Sequence, residues 1–359
     1  MKTVVVGMSG GVDSSLSALL LKQQGFRVIG LFMKNWEEKG EDGVCKAAED
    51  FLDVQRVAAQ IDIPCYNIQF VQEYWDLVFA SFLEGIQQGL TPNPDILCNR
   101  EIIFHLFFQK AKALGADFVA TGHYCQKGEV GNHSLLLKGH DPGKDQSYFL
   151  YTMQQTVLKD VLFPIGHLEK KEARRLAALY DLPTATKKDS TGICFIGKRD
   201  FSSFLAQYLK KEEGTFQTLD GRIVGYHQGA IYYTIGQRKG LGIGGKGEAW
   251  FVVDKDVDRG IVFVVQGENH PALFRGELTA TSLSWVHLPP DAFPFFCHAK
   301  IRYRQEDQPC WIDQIIDGIA DVRFETPQRA ITPGQSIVFY EDNLCLGGGV
   351  ISPHSLSAR

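Results

Sequence analysis

The sequence predicts an α/β fold: a doubly wound parallel sheet at the N-terminus, then a small β-rich central domain and a C-terminal β-barrel. Three observations carry this. Short apolar runs alternate with helical periodicities over the first third of the chain, the pattern of a parallel sheet covered on both faces. The pattern changes after about Phe204: glycines become dense from Gly214, with Gly240, Gly242, Gly244, Gly245 and Gly247 crowding one loop. The remainder reads as short strands punctuated by Pro333-Gly334 and Gly347-Gly348-Gly349. The boundaries fall at 1–205, 206–272 and 273–359.

Val4 to Val6 form a β-branched run suited to a strand buried on both faces. Leu16, Leu19 and Leu20 follow at helical spacing, closed by Gly25. A second strand spans Phe26 to Met33 and a helix lies near Val44 to Ile61. Cys65 to Phe70 reads as a third strand, and a long helix runs from about Glu73 to Gln88. Thr91-Pro92-Asn93-Pro94 forces an extended turn, because each proline pushes its predecessor out of the helical region. Another helix ends at Gly115, and Asp117 to Thr121 is a fourth strand. Ligands of such sheets gather at the carboxyl ends of the strands. That places Ser9–Ser14, Met33, the Thr91–Cys98 loop and Gly122-His123 around one crevice. In the barrel, Lys300, Arg302 and Arg304 alternate with Ala299, Ile301 and Tyr303, which predicts a strand with one wholly basic face.

Length and composition narrow the class. The 359 residues are 44% hydrophobic and 22% charged, as in ordinary soluble globular proteins. No apolar run is long enough to span a membrane or act as a secretory signal, which predicts a cytoplasmic protein with no membrane partner. The net charge of −5 does not advertise a polyanion partner, but Lys187 to Lys246 holds ten Lys/Arg against five Asp/Glu. A locally basic surface on an acidic protein can still bind nucleic acid. The eight cysteines form no Cys-Xaa-Xaa-Cys pair and no cluster with zinc spacing, so no metal centre is expected.

Between the first strand and helix lies Ser9-Gly10-Gly11-Val12-Asp13-Ser14. Such a loop aims backbone N–H groups and a helix dipole at one spot, a setting for phosphate. A Walker loop is excluded, since no lysine occurs between Thr3 and Leu21, and the glycine spacing is not that of a dinucleotide fingerprint. The Ser-Gly-Gly-Xaa-Asp-Ser signature resembles that of the PP-loop ATP pyrophosphatases, of adenine nucleotide alpha hydrolase-like fold. These enzymes split ATP between its α- and β-phosphates and transfer AMP to a carbonyl oxygen.

The resemblance narrows further to the bacterial tRNA-specific 2-thiouridylases, which replace the 2-oxygen of the wobble uridine by sulfur. It rests on motifs in family order along almost the whole chain: Gly7–Ser14, Thr91–Asn99, Ala120–Tyr124, Lys144–Leu150, Asp189–Gly197, Tyr233–Arg238, Arg302–Gln305 and Thr332–Gln335. The resemblance implies ATP and Mg²⁺ at Gly7, Met8, Ser9, Gly10, Gly11, Val12, Asp13, Ser14, Met33 and Gly122. It implies a persulfide on Cys194, release of its sulfur by Cys98 with a Cys98–Cys194 disulfide left behind, and Asp95 as general acid/base. Asn93, Pro94 and Asp95 would hold the flipped base, with His123, Lys144, Asp145, Gln146, Arg302, Tyr303 and Gln335 touching the tRNA. A persulfide-carrying donor protein and a monomeric enzyme complete the expectation.

Residue chemistry agrees with the two cysteines. Cys98 follows a proline-rich turn at a helix start, where a dipole lowers a thiol pKa. Cys194 lies among small residues with Lys187, Lys188, Lys198 and Arg199 near in sequence. On spacing alone Asp95 has a helix cap as its alternative reading, and without the motif His123 reads first as a core histidine. One departure is visible: relatives often carry Asn-Lys-Xaa-Ile-Lys-Phe after the cysteine, whereas here Arg100 keeps the first charge and Ile103 loses the second. Two other readings remain at this point, an amide synthetase indifferent to both cysteines and a nucleotide-dependent RNA-binding protein without catalysis.

Overall fold

The computed structural model describes residues 1–37, 46–189 and 201–353. The first sheet has five parallel strands, β1 (Thr3–Gly7), β2 (Arg27–Lys34), β3 (Cys65–Gln69), β4 (Phe118–Ala120) and, after the hairpin β5 (Cys125–Val130) and β6 (His133–Lys138), β7 (Val161–Leu162). Their spatial order is β3-β2-β1-β4-β7. Alternation along β1 sends Val5 to one face, with Ile29, Phe79, Ile102 and Phe107, and Val4 and Val6 to the other, with Leu16, Val54 and Ala173. The sheet is thus doubly wound, with helices on both sides. One covering helix passes from Pro94–Leu97 through a π-helical stretch at Cys98–Phe107 into Phe108–Ala113.

A four-stranded sheet follows, built from β8 (Gly214–Gln217), β9 (Ile223–His227), β10 (Trp250–Asp256) and β11 (Ile261–Gln266). Phe216, Val252, Val262 and Val264 form its core. The last strands are β12 (Phe274–Trp285), β13 (Phe295–Lys300), β14 (Gln308–Ile316), β15 (Ile319–Arg329), β16 (Ser336–Glu341) and β17 (Leu344–Ile351). They pair in the order β12-β15-β14-β13-β16-β17, and β17 returns to β12, closing a barrel around Ala280, Ala299, Ile312, Val322 and Phe339. Closure removes exposed edges from the six strands.

Two features depart from sequence expectation. The β5–β6 hairpin belongs in sequence to the first domain, yet it extends the barrel sheet through Leu137 opposite Leu344. Lys138 reinforces the join, its N–H donating to Asn343 O at 2.9 Å and its ammonium pairing with Asp307. The predicted basic strand also fails beyond Lys300. Residues 301–304 form a turn with Arg304 at φ +66, and Arg302 points inward. Alternation assumed an extended backbone; once the chain turns, Arg302 finds backbone carbonyls and Lys300 sits between Asp145 and Asp307.

Candidate active site

The Ser9–Ser14 loop leaves β1 at the carboxyl edge of the sheet, tied to β2 by Met8 N–H on Leu31 O at 3.0 Å. Gly10 has φ +73, and a Cβ there would lie 2.5 Å from Asp50 O. The chain therefore needs glycine for both conformation and space. Gly11 starts the helix Val12–Gln23, and no side chain among the described residues caps that end. Its first-turn N–H groups and positive dipole are left for an anion. The Ser14 hydroxyl accepts from Ser9 N–H at 3.1 Å and lies 3.3 Å from the Ser9 hydroxyl. Gly122 packs against this turn so closely that a Cβ would meet Ser14 N at 2.8 Å. Met33 stands half-buried near the end of β2. The residues present fit a triphosphate: a glycine cradle, an open helix end and hydroxyl donors at one point.

Asp13 does not stand alone in this loop. Both its oxygens receive the Lys170 ammonium, at 2.8 and 2.7 Å, and Oδ1 also accepts from Tyr124 Oη at 2.8 Å. Lys170 reaches on to Asp189 Oδ1 at 2.9 Å. Asp189 is further held by Lys144 at 2.8 Å and by Arg174 at 2.5 Å. Burial pushes the Asp189 carboxyl up, but hydrogen bonds and charge from Lys144 and Lys170 overcome it and hold Asp189 far below the usual carboxylate range. Burial and then the Asp13 charge push the Tyr124 hydroxyl well up, keeping it a donor. Nearby, Lys187 bridges Asp50 at 2.7 Å and Asp53 at 2.6 Å.

The Thr91–Cys98 segment leads into the helix that packs on the Val5 face of the sheet. Asn93 Oδ1 caps the helix by accepting from Asp95 N–H at 3.1 Å, with Pro94 at the first helical position. Asp95 and Cys98 are three residues apart on that helix and so neighbours on its surface. Cys98 is buried at 6% exposure in the cluster containing Phe79, Ile102 and Phe204. It is the fifth helical residue rather than the first, and dipole effects fade beyond one turn, so the dipole argument for its thiolate does not carry over. The π-helical stretch begins at Cys98, a geometry common at functional positions. Ile103 packs against two apolar clusters, which accounts for the missing charge there.

Gly122-His123-Tyr124 spans the gap between loop and helix. Gly122 and Tyr124 touch Asp13 and Ser14, while the His123 ring lies 5.9 Å from Phe104 on the Cys98 helix. His123 Nδ1 sits 2.9 Å from Thr121 Oγ1, and burial pulls its pKa down to about 4, so the ring is neutral near pH 7.

The other expected tRNA-contact residues are engaged within the fold. Lys144 pairs with Asp189. Asp145 is buried and accepts from Gly139 N–H, Ser147 N–H and Ser147 Oγ. Gln146 Oε1 accepts from Tyr124 N–H at 2.9 Å. Arg302 donates to Ala330 O at 2.7 Å, Thr332 Oγ1 at 3.2 Å and Ile235 O at 3.3 Å, joining central sheet to barrel. Tyr303 packs on Phe149 at 4.4 Å. Gln335 Nε2 donates to Thr91 O at 2.6 Å, and Thr91 N–H to Pro333 O at 2.9 Å, so the barrel grips the segment leading to Cys98. Cys194 and the residues 190–200 around it lie outside the described residues.

Sequence reasoning missed Lys170. A signal was present: lysine at the start of a helix, here Lys170–Leu179, opposes the dipole and calls for an acidic partner.

Comparison with known proteins agrees along the whole chain. Residues 2–198 match a family described as the tRNA methyl transferase HUP domain, 202–266 its PRC-barrel domain, and 275–351 an aminomethyltransferase beta-barrel domain. A protein of Protochlamydia amoebophila named tRNA-specific 2-thiouridylase MnmA is 63% identical, covering 98% of this chain and 93% of that one. Proteins of the same name from Shouchella clausii and Nitrosomonas eutropha are each 55% identical, covering 97% of this chain and 96% and 98% of theirs. With near-complete coverage at such identity, the chain belongs to the tRNA-specific 2-thiouridylase family.

Proposed function

We propose that this protein is an ATP-dependent tRNA-uridine 2-sulfurtransferase acting on the wobble uridine. The observation that carries the reading is the junction of the open Val12–Gln23 helix end with the Asp95–Cys98 helix through Gly122-His123-Tyr124. The names of the relatives support it.

The C2 carbonyl of uridine is a poor electrophile, so its oxygen must first become a leaving group. It attacks the α-phosphorus of ATP held at Gly7–Ser14, with Met33 and Gly122 beside the adenine. Pyrophosphate departs, and Asp95 takes the N3 proton. Mg²⁺ would offset phosphate charge, with Asp13 the loop carboxylate within reach. The terminal sulfur of a Cys194 persulfide then attacks C2, and AMP leaves with the bonding pair. The Cys98 thiolate attacks the Cys194 sulfur and breaks the S–S bond, whose electrons remain on the uridine sulfur as N3 is reprotonated. A Cys98–Cys194 disulfide results, reduced by an external thiol. Reaching C2 requires the base to leave its stack, with Asn93, Pro94 and Asp95 beside it. His123, Lys144–Gln146, Arg302, Tyr303 and Gln335 are the proposed tRNA-contact positions. Those already bonded within the fold would exchange partners or act by shaping the surface. A donor protein recharges Cys194. Among the described residues no helix is long and apolar enough to cross a membrane; a cytoplasmic monomer divided at 1–205, 206–272 and 273–359 fits this reading.

The test is purified protein with ATP, Mg²⁺, a persulfide donor and unmodified tRNA. Nucleoside analysis should give 2-thiouridine with the wild type and none with Cys194→Ser. A methylated nucleoside, which differs in mass, or pyrophosphate release without tRNA and insensitive to both cysteines, would overturn the proposal.

A further inference from the structure

We propose that Asn99 is a positioning residue for thiolation: its side-chain amide holds the backbone of Asp95, the proposed general base, where the carboxylate can take the uridine N3 proton. The inference rests on the thiolation reading and adds a residue to that site.

Both main-chain polar groups of Asp95 are taken by asparagine side chains. Its N–H donates to Asn93 Oδ1 at 3.1 Å, and its carbonyl accepts from Asn99 Nδ2 at 2.9 Å. The Cys98 N–H reaches the same carbonyl. Asn93 is a helix cap, which accounts for its residue type. Asn99 is different. It lies inside the helix, 6% exposed, one residue past the point where the α-helical turn Pro94–Leu97 gives way to the π-helical stretch. The wider π bonding moves each main-chain donor one residue along. At that change of register the Asn99 amide supplies Asp95 O with a side-chain donor. With the peptide groups on both sides of Asp95 bonded, only its two side-chain torsions remain to place the carboxyl.

Asparagine is a poor choice here for packing alone. Asn99 Oδ1 is buried with no hydrogen-bond partner among the described residues, and a buried acceptor left unsatisfied costs stability. Leucine has the same branched shape and no polar atom to desolvate. What asparagine adds is the Nδ2 bond to Asp95 O. A residue that breaks a local rule inside an element marks a functional position. Proton transfer needs the carboxylate within hydrogen-bond reach of the base, and a misplacement of about 1 Å lowers rates by about a hundredfold. Asn99 itself moves no proton and touches no reacting atom. It acts through Asp95, whose place on the helix it fixes.

The test compares Asn99→Ser, Asn99→Ala and Asn99→Leu in the full-length protein. A serine hydroxyl donates to the carbonyl four residues back and keeps the bond. Alanine differs from serine by that hydroxyl, and leucine keeps the branched shape without a donor. Single-turnover formation of 2-thiouridine is measured with ATP, Mg²⁺, a persulfide donor and unmodified tRNA, beside the dissociation constants of ATP and tRNA. Asn99→Ser should stay within about threefold of wild type, while Asn99→Ala and Asn99→Leu fall about thirtyfold with both dissociation constants within about twofold. In an Asp95→Asn background the serine–alanine difference should shrink below about twofold, because Asn99 acts through Asp95. A packing role gives the reverse order, with leucine active and serine and alanine equally poor. That result, or a serine–alanine difference that survives Asp95→Asn, overturns the proposal. The serine–alanine pair decides if Asn99→Leu does not fold. A wild type that forms no 2-thiouridine ends the function reading and the role of Asn99 with it; all three variants thiolating at the wild-type rate removes Asn99 alone.

Discussion

Two segments carry the candidate site residues, and they are secured by opposite means. The Ser9–Ser14 loop is held by its own domain: β1 and β2 below it, Gly122 beside it, and Lys170 and Tyr124 on Asp13. The Thr91–Cys98 segment is held by the barrel, through Pro333 and Gln335 on the Thr91 backbone. On the proposed reading nucleotide binding follows the N-terminal sheet, whereas the segment leading to Cys98 is tied to residues more than two hundred positions away. Substitutions on the two sides should separate ATP binding from thiolation.

The sharpest separation is expected at Gly10. Gly10→Ala puts a methyl group on Asp50 O and a side chain at positive φ, so the loop must move. ATP affinity should fall roughly a hundredfold by calorimetric titration, taking thiolation with it. Gly334→Ala tests the opposite side: with φ +86 and a Cβ 2.8 Å from Thr91 N, it displaces the latch. Thiolation should fall about tenfold while the ATP dissociation constant stays within about twofold. Loss of ATP binding in Gly334→Ala would erase the contrast.

How much of this was legible in the sequence follows from range. β1, its loop and the helix after it are determined within about twenty residues, by a buried β-branched run, glycines and a helical apolar face, and the structure has them where the pattern places them. Asn93 as cap and Pro94 behind it are local too. What failed to read was long-range pairing. Nothing near Lys170 names Asp13 or Asp189 as its partners, and nothing near Arg302 says that its strand ends and the guanidinium turns in to Ala330 and Thr332. Taking both prolines as the entry turn puts Cys98 at a helix start, but Pro94 is already helical and Cys98 lies a turn further in.

A smaller effect is expected at Gln335. Gln335→Ala removes one of the two bonds to Thr91 and leaves the Pro333 carbonyl bond, which should lower the unfolding free energy by about 1 kcal/mol in urea titration. Its thiolation defect should be milder than that of Gly334→Ala. A defect larger than that of Gly334→Ala would mean that Gln335 acts on tRNA directly rather than through Thr91.

A separate effect concerns pH. His123 has its folded pKa near 4 against 6.5 for an ordinary imidazole. As pH falls the unfolded chain takes up this proton first, so the contribution of His123 is complete above about 6.5 and is lost between there and about 4. Denaturant midpoints should show the wild type losing more stability than His123→Asn across that window. Parallel pH profiles would remove His123 from the list of groups held neutral at the crevice.

The β5–β6 hairpin carries a practical consequence for anyone dividing the protein. It is encoded early but zipped onto the last strand through Leu137 and Leu344. An N-terminal fragment ending before the barrel would expose a ribbon of unpaired amides and carbonyls, an invitation to self-association. Conversely, an isolated barrel would lack the ribbon that lies along its rim, so the first and last parts of this chain are best produced, and mutated, together.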